Sequence, residues 1–304
     1  MTPILGIMAS QISGHLDTRQ FVGAGYYGGI ITSPDGTTWT ARTAPAARIY
    51  LSVVGSGSLY FILAGDSSGY GASSPTGVTW TARTLPSSGS WSSVIYGGGM
   101  FVAIKSDNPA QTTGASSPDG ITWTSRTITN GGQGGQPYGG TYGGGVFSVG
   151  GNGYGGYSSD GISWSAASGI TSQIFGIAYG NSVFAAAPGG GGSTWWSSSN
   201  GSSYTSRTGI ASGYAGWYAI CYGSVAGFMA FSYGTSKTAR STDAITWTEG
   251  SIPSSITMTG CAFGAGKYIT SERGSTQGYY STNGTSWTSM TMPSGYDWNG
   301  FTYA

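Results

Sequence analysis

Charge is what this sequence has least of. Asp, Glu, Lys and Arg together make up 7% of 304 residues, and the formal net charge is +1. A typical soluble domain carries about 25% charged residues. No basic run exists to neutralise a nucleic-acid backbone or to form a polybasic membrane-surface patch, so no nucleic-acid partner and no membrane insertion are expected. No stretch approaches the roughly 18 consecutive apolar residues that a membrane-spanning helix needs. The single histidine, His15, cannot build a His-rich metal site or a Ser-His-Asp triad around the chain. The two cysteines are too few for a disulfide framework. Helical periodicity is missing as well, since no window sustains apolar residues at the 3.6 spacing. The N-terminal "MTPILGIMASQISG" lacks the basic start of a secretory signal and is expected to be retained.

Glycine and aromatic residues are abundant, with 57 Gly, 21 Tyr and 11 Trp. They are arranged in a repeat. "SPDGTTWTART" at Ser33, "SPTGVTWTART" at Ser74 and "SPDGITWTSRT" at Ser117 are followed by shorter copies starting at Ser158, Ser198, Ser241 and Ser281. The copies place Trp39, Trp80, Trp123, Trp164, Tyr204, Trp247 and Trp287 at intervals of 40–43 residues. Between them lies a second element, as in "WSSVIYG" from Trp91, "IFGIAYG" from Ile174, "WYAICYG" from Trp217 and "MTGCAFG" from Met258.

These segments are β-branched and aromatic, cut by Gly, Asn, Ser and Pro, which is strand-and-turn composition. In repeat three the strands are predicted at Trp91–Tyr96, Met100–Lys105, Gly114–Ser117 and Ile121–Arg126. The pair Asp119-Gly120 and its counterparts suit a two-residue type I′ hairpin. Four short strands with their loops fill roughly 40 residues, the length of a propeller blade. The fold is therefore predicted as all-β: a seven-bladed β-propeller with four antiparallel strands per blade. The final "WNGFTYA" reads as a first strand with no blade after it, so Trp298–Tyr303 is expected to join the strand at Gln20–Ala24 and close the ring. Residues 1–19 are an N-terminal extension, an attachment segment or an extra strand, and 20–304 the propeller. The competing closure uses Ile4–Ser10 as the first strand of blade one.

The Ser33, Asp35, Gly36 and Trp39 pattern resembles the Asp-box (BNR-type) repeats of sialidase-like propellers, with one residue fewer between Asp and Gly. The segment "PILGIMASQISG" at Pro3–Gly14 is similar to the opening of tailed-phage virion proteins, which also contain "DGITWT"-type blades. The second resemblance implies a virion location outside the host cell, and partner virion proteins contacted through the N-terminal segment.

Sialidase chemistry, which the first resemblance suggests, needs three converging arginines, a Tyr nucleophile with a Glu base, and an acid/base Asp. Here Arg42, Arg83, Arg126 and Arg207 all stand three residues after a motif aromatic and so point outward around the ring. Only Arg19, Arg48, Arg240 and Arg273 remain, and the only glutamates are Glu249 and Glu272. The candidate partner acids Asp66, Asp107 and Asp297 fall in different blades. No enzyme activity, no metal and no cofactor are expected. Cys221 and Cys261 occupy different offsets in first strands, so their side chains are expected to face opposite ways as buried free thiols. The motif tryptophans are assigned to packing between blades. The candidate ligand-binding residues are rings in loops on one rim: Tyr70, Tyr138, Tyr154, Trp195, Trp196, Tyr214, Tyr233 and Tyr279. Such rings, set among Ser, Thr, Asn and Gln, suit a weakly charged glycan or a protein receptor. The expected function is a non-enzymatic tail or adhesion component. The alternatives are a capsid-decoration or spacer protein, a secreted lectin-like propeller and, last, a sialidase-like glycosidase.

Overall fold

The structure is a computed structural model that describes residues 19–106, 112–129, 137–211, 216–254 and 258–304. Its strands form seven four-stranded antiparallel sheets. The first strands of successive blades pack against one another all the way round, so they are the innermost. Blade three runs outward as Trp91–Gly97, Met100–Lys105, Thr112–Ser117 and Thr124–Ile128. Second strands such as Tyr60–Ala64 are buried along their whole length, because a neighbouring blade covers each face. That is why they read as continuous apolar runs rather than alternating ones. Fourth strands such as Thr81–Thr84 lie largely open to solvent.

Blade one is assembled from both ends of the described chain. Its order from the axis outward is Trp298–Tyr303, Phe21–Gly25, Gly29–Ser33 and Thr40–Thr43. Phe21 pairs with Tyr303 and Gly23 with Phe301, so the C-terminal strand closes the ring, as expected of a first strand with no blade after it. Mutual hydrogen bonds between the backbones of Gln20 and Ala304 extend the seam. The competing segment Ile4–Ser10, like the N-terminal extension up to residue 18, lies outside the described residues.

The repeated turn differs from the expected two-residue hairpin. In blade three six residues separate Ser117 from Thr124, and the fourth strand starts three residues later than predicted. Positive φ occurs at Gly36, Gly77, Gly120, Gly161, Gly201 and Gly284, but not at the residue before each, as a type I′ turn would require. The carboxylate organises the loop instead. Asp119 Oδ1 accepts the N–H groups of Ile121 and Thr122 at 2.8 Å each, and Ser117 Oγ donates to it at 2.8 Å. A side chain thus supplies the acceptor that a tight hairpin would take from the opposite strand. Asp35, Asp160 and Asp243 do the same, and so do Asn200 and Asn283. In blade six Ala244 holds the left-handed conformation at φ 59°, a strain of about 1 kcal/mol that glycine avoids elsewhere.

This arrangement carries a pH prediction. The backbone N–H of Thr122, then that of Ile121, hold the Asp119 carboxyl below the usual carboxylate range; Ser163 and Ile162 do so for Asp160. A depressed folded-state value means stability that is fully present above the unfolded-state pKa and lost as pH falls through the folded one. Asp119→Asn, which copies the residue of blades five and seven, should fold with near-native stability at pH 7 and lose less of it on acidification. Asp119→Ala should cost about 1 kcal/mol at pH 7, like a lost helix cap. Thermal melts of the three proteins at pH 7 and pH 3 check both expectations; Asn behaving like Ala at pH 7 would refute the acceptor role.

Each motif aromatic lies between its own blade and the preceding one. Trp123 packs on Phe61 of blade two at 4.8 Å, Trp287 on Phe231 of blade six at 5.3 Å, and Trp39 Nε1 reaches Met290 Sδ of blade seven at 3.3 Å. Tyr204, the one phenol in the series, exchanges a 2.7 Å hydrogen bond with Ser148 of blade four.

Candidate functional site

Antiparallel sheets alternate their connections between two faces. The lower face carries the turns from first to second strand and the Ser-Asp-Gly turns. The upper face carries the connections from second to third strand and from each blade to the next. First strands start at the upper face and surround a cavity of about 240 Å3 on the propeller axis, lined by residues from all seven blades.

At the upper end of each first strand the register slips by a bulge. A bulge re-aims the extra side chain away from the alternating pattern. That residue is aromatic in blade four, at Tyr138, and in blades five and six, at Phe175 and Tyr218. The rings of Phe175 and Tyr218 lie 4.5 Å apart, and the exposed Tyr218 continues to Tyr233 at 4.6 Å. Arg273 Nη1 donates to the Tyr233 hydroxyl at 3.3 Å, and Arg273 Nε pairs with Asp297 Oδ2 at 3.0 Å. The Asp297 hydrogen bond raises the Arg273 pKa further, keeping the guanidinium charged.

The surface continues across blade one. The Asp297 carbonyl accepts the Tyr26 N–H at 3.1 Å, and the Arg48 carbonyl accepts the Gly28 N–H at 2.7 Å. Held at both ends, Tyr27 stands 72% exposed with φ 55°, and its ring lies 5.7 Å from that of Tyr296. A non-glycine residue kept in that region by its surroundings is the kind of strain found at ligand sites. On the far side Arg48 pairs with Asp66 at 2.9 Å and lies 4.8 Å over the Tyr70 ring. The upper face therefore offers an arc of partly exposed rings and two ion pairs across blades five to two.

The sequence-derived residues fare unequally. Tyr70 and Tyr233 belong to this arc and are half-buried. Tyr214 and the Tyr138 side chain lie outside the described residues. Tyr154 and Tyr279 are buried, the latter with its hydroxyl donating to the buried Glu272 at 3.1 Å. Trp195 and Trp196 require correction. They lie in a third strand, Thr194–Ser198, and are fully buried. Consecutive strand residues point to opposite faces, and both faces of a blade are covered, so a Trp pair can be core on both sides. Trp195 packs on Trp247 and Trp217 of blade six, at 3.8 and 5.3 Å. Alanines offset the bulk: Ala187, Ala230 and Ala239 around Trp195, and Ala186 around Trp196.

Phe175, Tyr218 and the Arg273–Asp297 pair were missed from sequence. The available signal was two successive large residues opening a first strand, "IF" and "WY", where alternation calls for one.

Arg42, Arg83, Arg126 and Arg207 are pinned on outer strands. Each Nε donates at 2.8 Å to a hydroxyl of the adjoining strand: Thr32, Ser73, Ser116 and Ser197 respectively. They do not converge. Among the described residues no group of three or more His, Cys, Asp or Glu could share a metal ion. The cysteine reading also changes. Cys221 and Cys261 are free and half-buried, but both pack against one apolar cluster between blades six and seven. Opposite faces of adjacent blades look at one another, so side chains facing opposite ways on their own sheets meet across the interface.

No protein-family model and no curated protein matches the sequence. Solved structures do. Virginiamycin B lyase from Staphylococcus aureus is similar at TM-score 0.68 and 14% identity, over 80% of this chain and 84% of that one. A streptogramin B lyase reaches TM-score 0.70 at 12% identity, over 93% and 91%. YCF48 bound to D1 peptide reaches 0.61 at 15%, over 90% and 84%. At these identities the likeness establishes the fold alone: this is a seven-bladed β-propeller.

Proposed function

We propose that the protein is a non-enzymatic binding propeller, a virion-associated phage tail or adhesion component that presents its upper face to a host glycan or receptor. The observation that carries this reading is the Phe175–Tyr218–Tyr233–Arg273 ladder. Open rings flanked by hydroxyls and an ion pair suit the apolar face and hydroxyl groups of a sugar. Polarity supports it too. Gln20 and Ala304 meet at the lower face, so the first described strand of the propeller begins on the side away from the ladder. The Ser-Asp-Gly turns, shortened relatives of Asp boxes, lie on that lower face as scaffold. Structurally similar proteins include both lyases and YCF48, which binds a peptide.

A glycan array and a host-cell binding assay test the reading, with Tyr218→Ala as the variant. Wild-type protein should bind a defined glycan set. The variant should lose about tenfold in affinity, about 1.4 kcal/mol, with an unchanged melting temperature. Absence of binding by the wild type, binding indifferent to Tyr218→Ala and Tyr233→Ala, or turnover of a fluorogenic sialoside would each refute it. Proteomics of purified particles tests the virion location separately.

A further inference from the structure

At several blade interfaces the fifth residue of one first strand shares a packed cluster with the fourth residue of the next. Val54 meets Val94, Ala178 meets Ile220, and Ala262 meets Phe301. Ile95 reaches toward Gly140 in the same way. Between blades six and seven these two positions are Cys221 and Cys261, so the repeat geometry alone brings the sulfurs together. Both cysteines are half-buried and pack against the same apolar cluster between blades six and seven, and Cys261 lines the axial cavity. At the other interfaces these positions hold Val, Ala, Ile, Phe, Thr or Gly, so packing by itself does not require sulfur on both sides.

We propose that Cys221 and Cys261 form an oxidation-responsive disulfide clasp joining blade six to blade seven, with the axial cavity as the oxidant's route. With hydrogen peroxide as oxidant, one thiolate attacks a peroxide oxygen, the O–O bond breaks, and hydroxide leaves as the sulfur becomes a sulfenic acid. The second sulfur displaces hydroxide from it and forms the S–S bond. In sum, two thiols give up two protons and two electrons, and one peroxide becomes two waters. The link closes a loop through the whole of blade six and constrains the unfolded chain.

The full chain, reduced and then treated with peroxide, tests this. The oxidised protein should be lighter by two hydrogens, should resist alkylation, and should yield a non-reduced peptide joining the segments that hold Cys221 and Cys261. Its melting temperature should rise by about 5–10 °C, reversibly with dithiothreitol. Cys221→Ser should show no such rise. Two thiols still open to alkylation, overoxidation to sulfinic acid, cross-linked dimers, or a disulfide without a thermal shift would each overturn the clasp. The mass and alkylation results come from the native sequence, so they decide the question even if the serine variant folds poorly.

Discussion

A chain ending at Asp297 should aggregate or melt far below the full-length protein. Removing Trp298–Ala304 takes away the innermost strand of blade one and its ladder to Phe21–Gly25. It uncovers both neighbouring blades as well. The Asn299 side-chain amide donates to the Tyr50 carbonyl of blade two at 3.2 Å, and Thr259 Oγ1 of blade seven donates to the Trp298 carbonyl at 2.9 Å. Trp298 and Phe301 are buried in the core that blade one shares with blade seven. Burial of each large apolar side chain contributes roughly 1.5–3 kcal/mol, against a total stability of about 5–15 kcal/mol. The new unpaired edge would also template association with other chains. Size-exclusion chromatography and calorimetry decide the matter: a monomer melting like the intact chain would mean that another segment closes the ring.

A single methyl group should do comparable damage at Gly180. A Cβ built there would lie 2.0 Å from Cγ of Tyr222, far inside contact distance. The same fit recurs at Gly97 with Tyr142, Gly143 with Tyr179, Gly223 with Phe263 and Gly264 with Tyr303. At these five interfaces the aromatic at the lower end of a first strand lies on the glycine that ends the previous one. Because the ring is closed, a blade cannot retreat without disturbing its neighbours. Gly180→Ala should therefore cost about 3 kcal/mol or more, at the upper end of overpacking effects. Gly192→Ala, with open space around the added carbon, should be close to neutral. Combining Gly180→Ala with Tyr222→Ala should cost less than the sum of the two changes, since the clash vanishes with the ring. Strict additivity in denaturant melts would show that the contact is not the source of the loss.

These glycines explain the aromatic-Gly pair in "WSSVIYG" and "WYAICYG", which was visible in the sequence as a motif without a reason. Blade number, strand count and ring closure were legible because they depend on one-dimensional features: a period of 40–43 residues, turn residues at fixed offsets, and a first strand left over at Trp298. The internal form of the Ser-Asp-Gly turn was not. The pair Asp-Gly serves a tight hairpin and a wider carboxylate-capped loop equally well, and only the ladder, with Ser116 and Thr124 as the last partners, distinguishes them.

The candidate site was legible only in part, for a related reason. Composition announced an aromatic surface but could not say which rings face water. Trp195 and Trp196 stand out in the sequence and are core, because a propeller strand is covered on both faces and alanines of the same and next blade make room for them. Tyr218 is unremarkable in the sequence and is exposed, because a bulge turns it outward beside Phe175 and Tyr233. Local chemistry and repetition are properties of the chain and set the architecture. Which rings form a surface, and that Cys221 meets Cys261, depends on how adjacent blades face each other, and that relation exists only once the ring has closed.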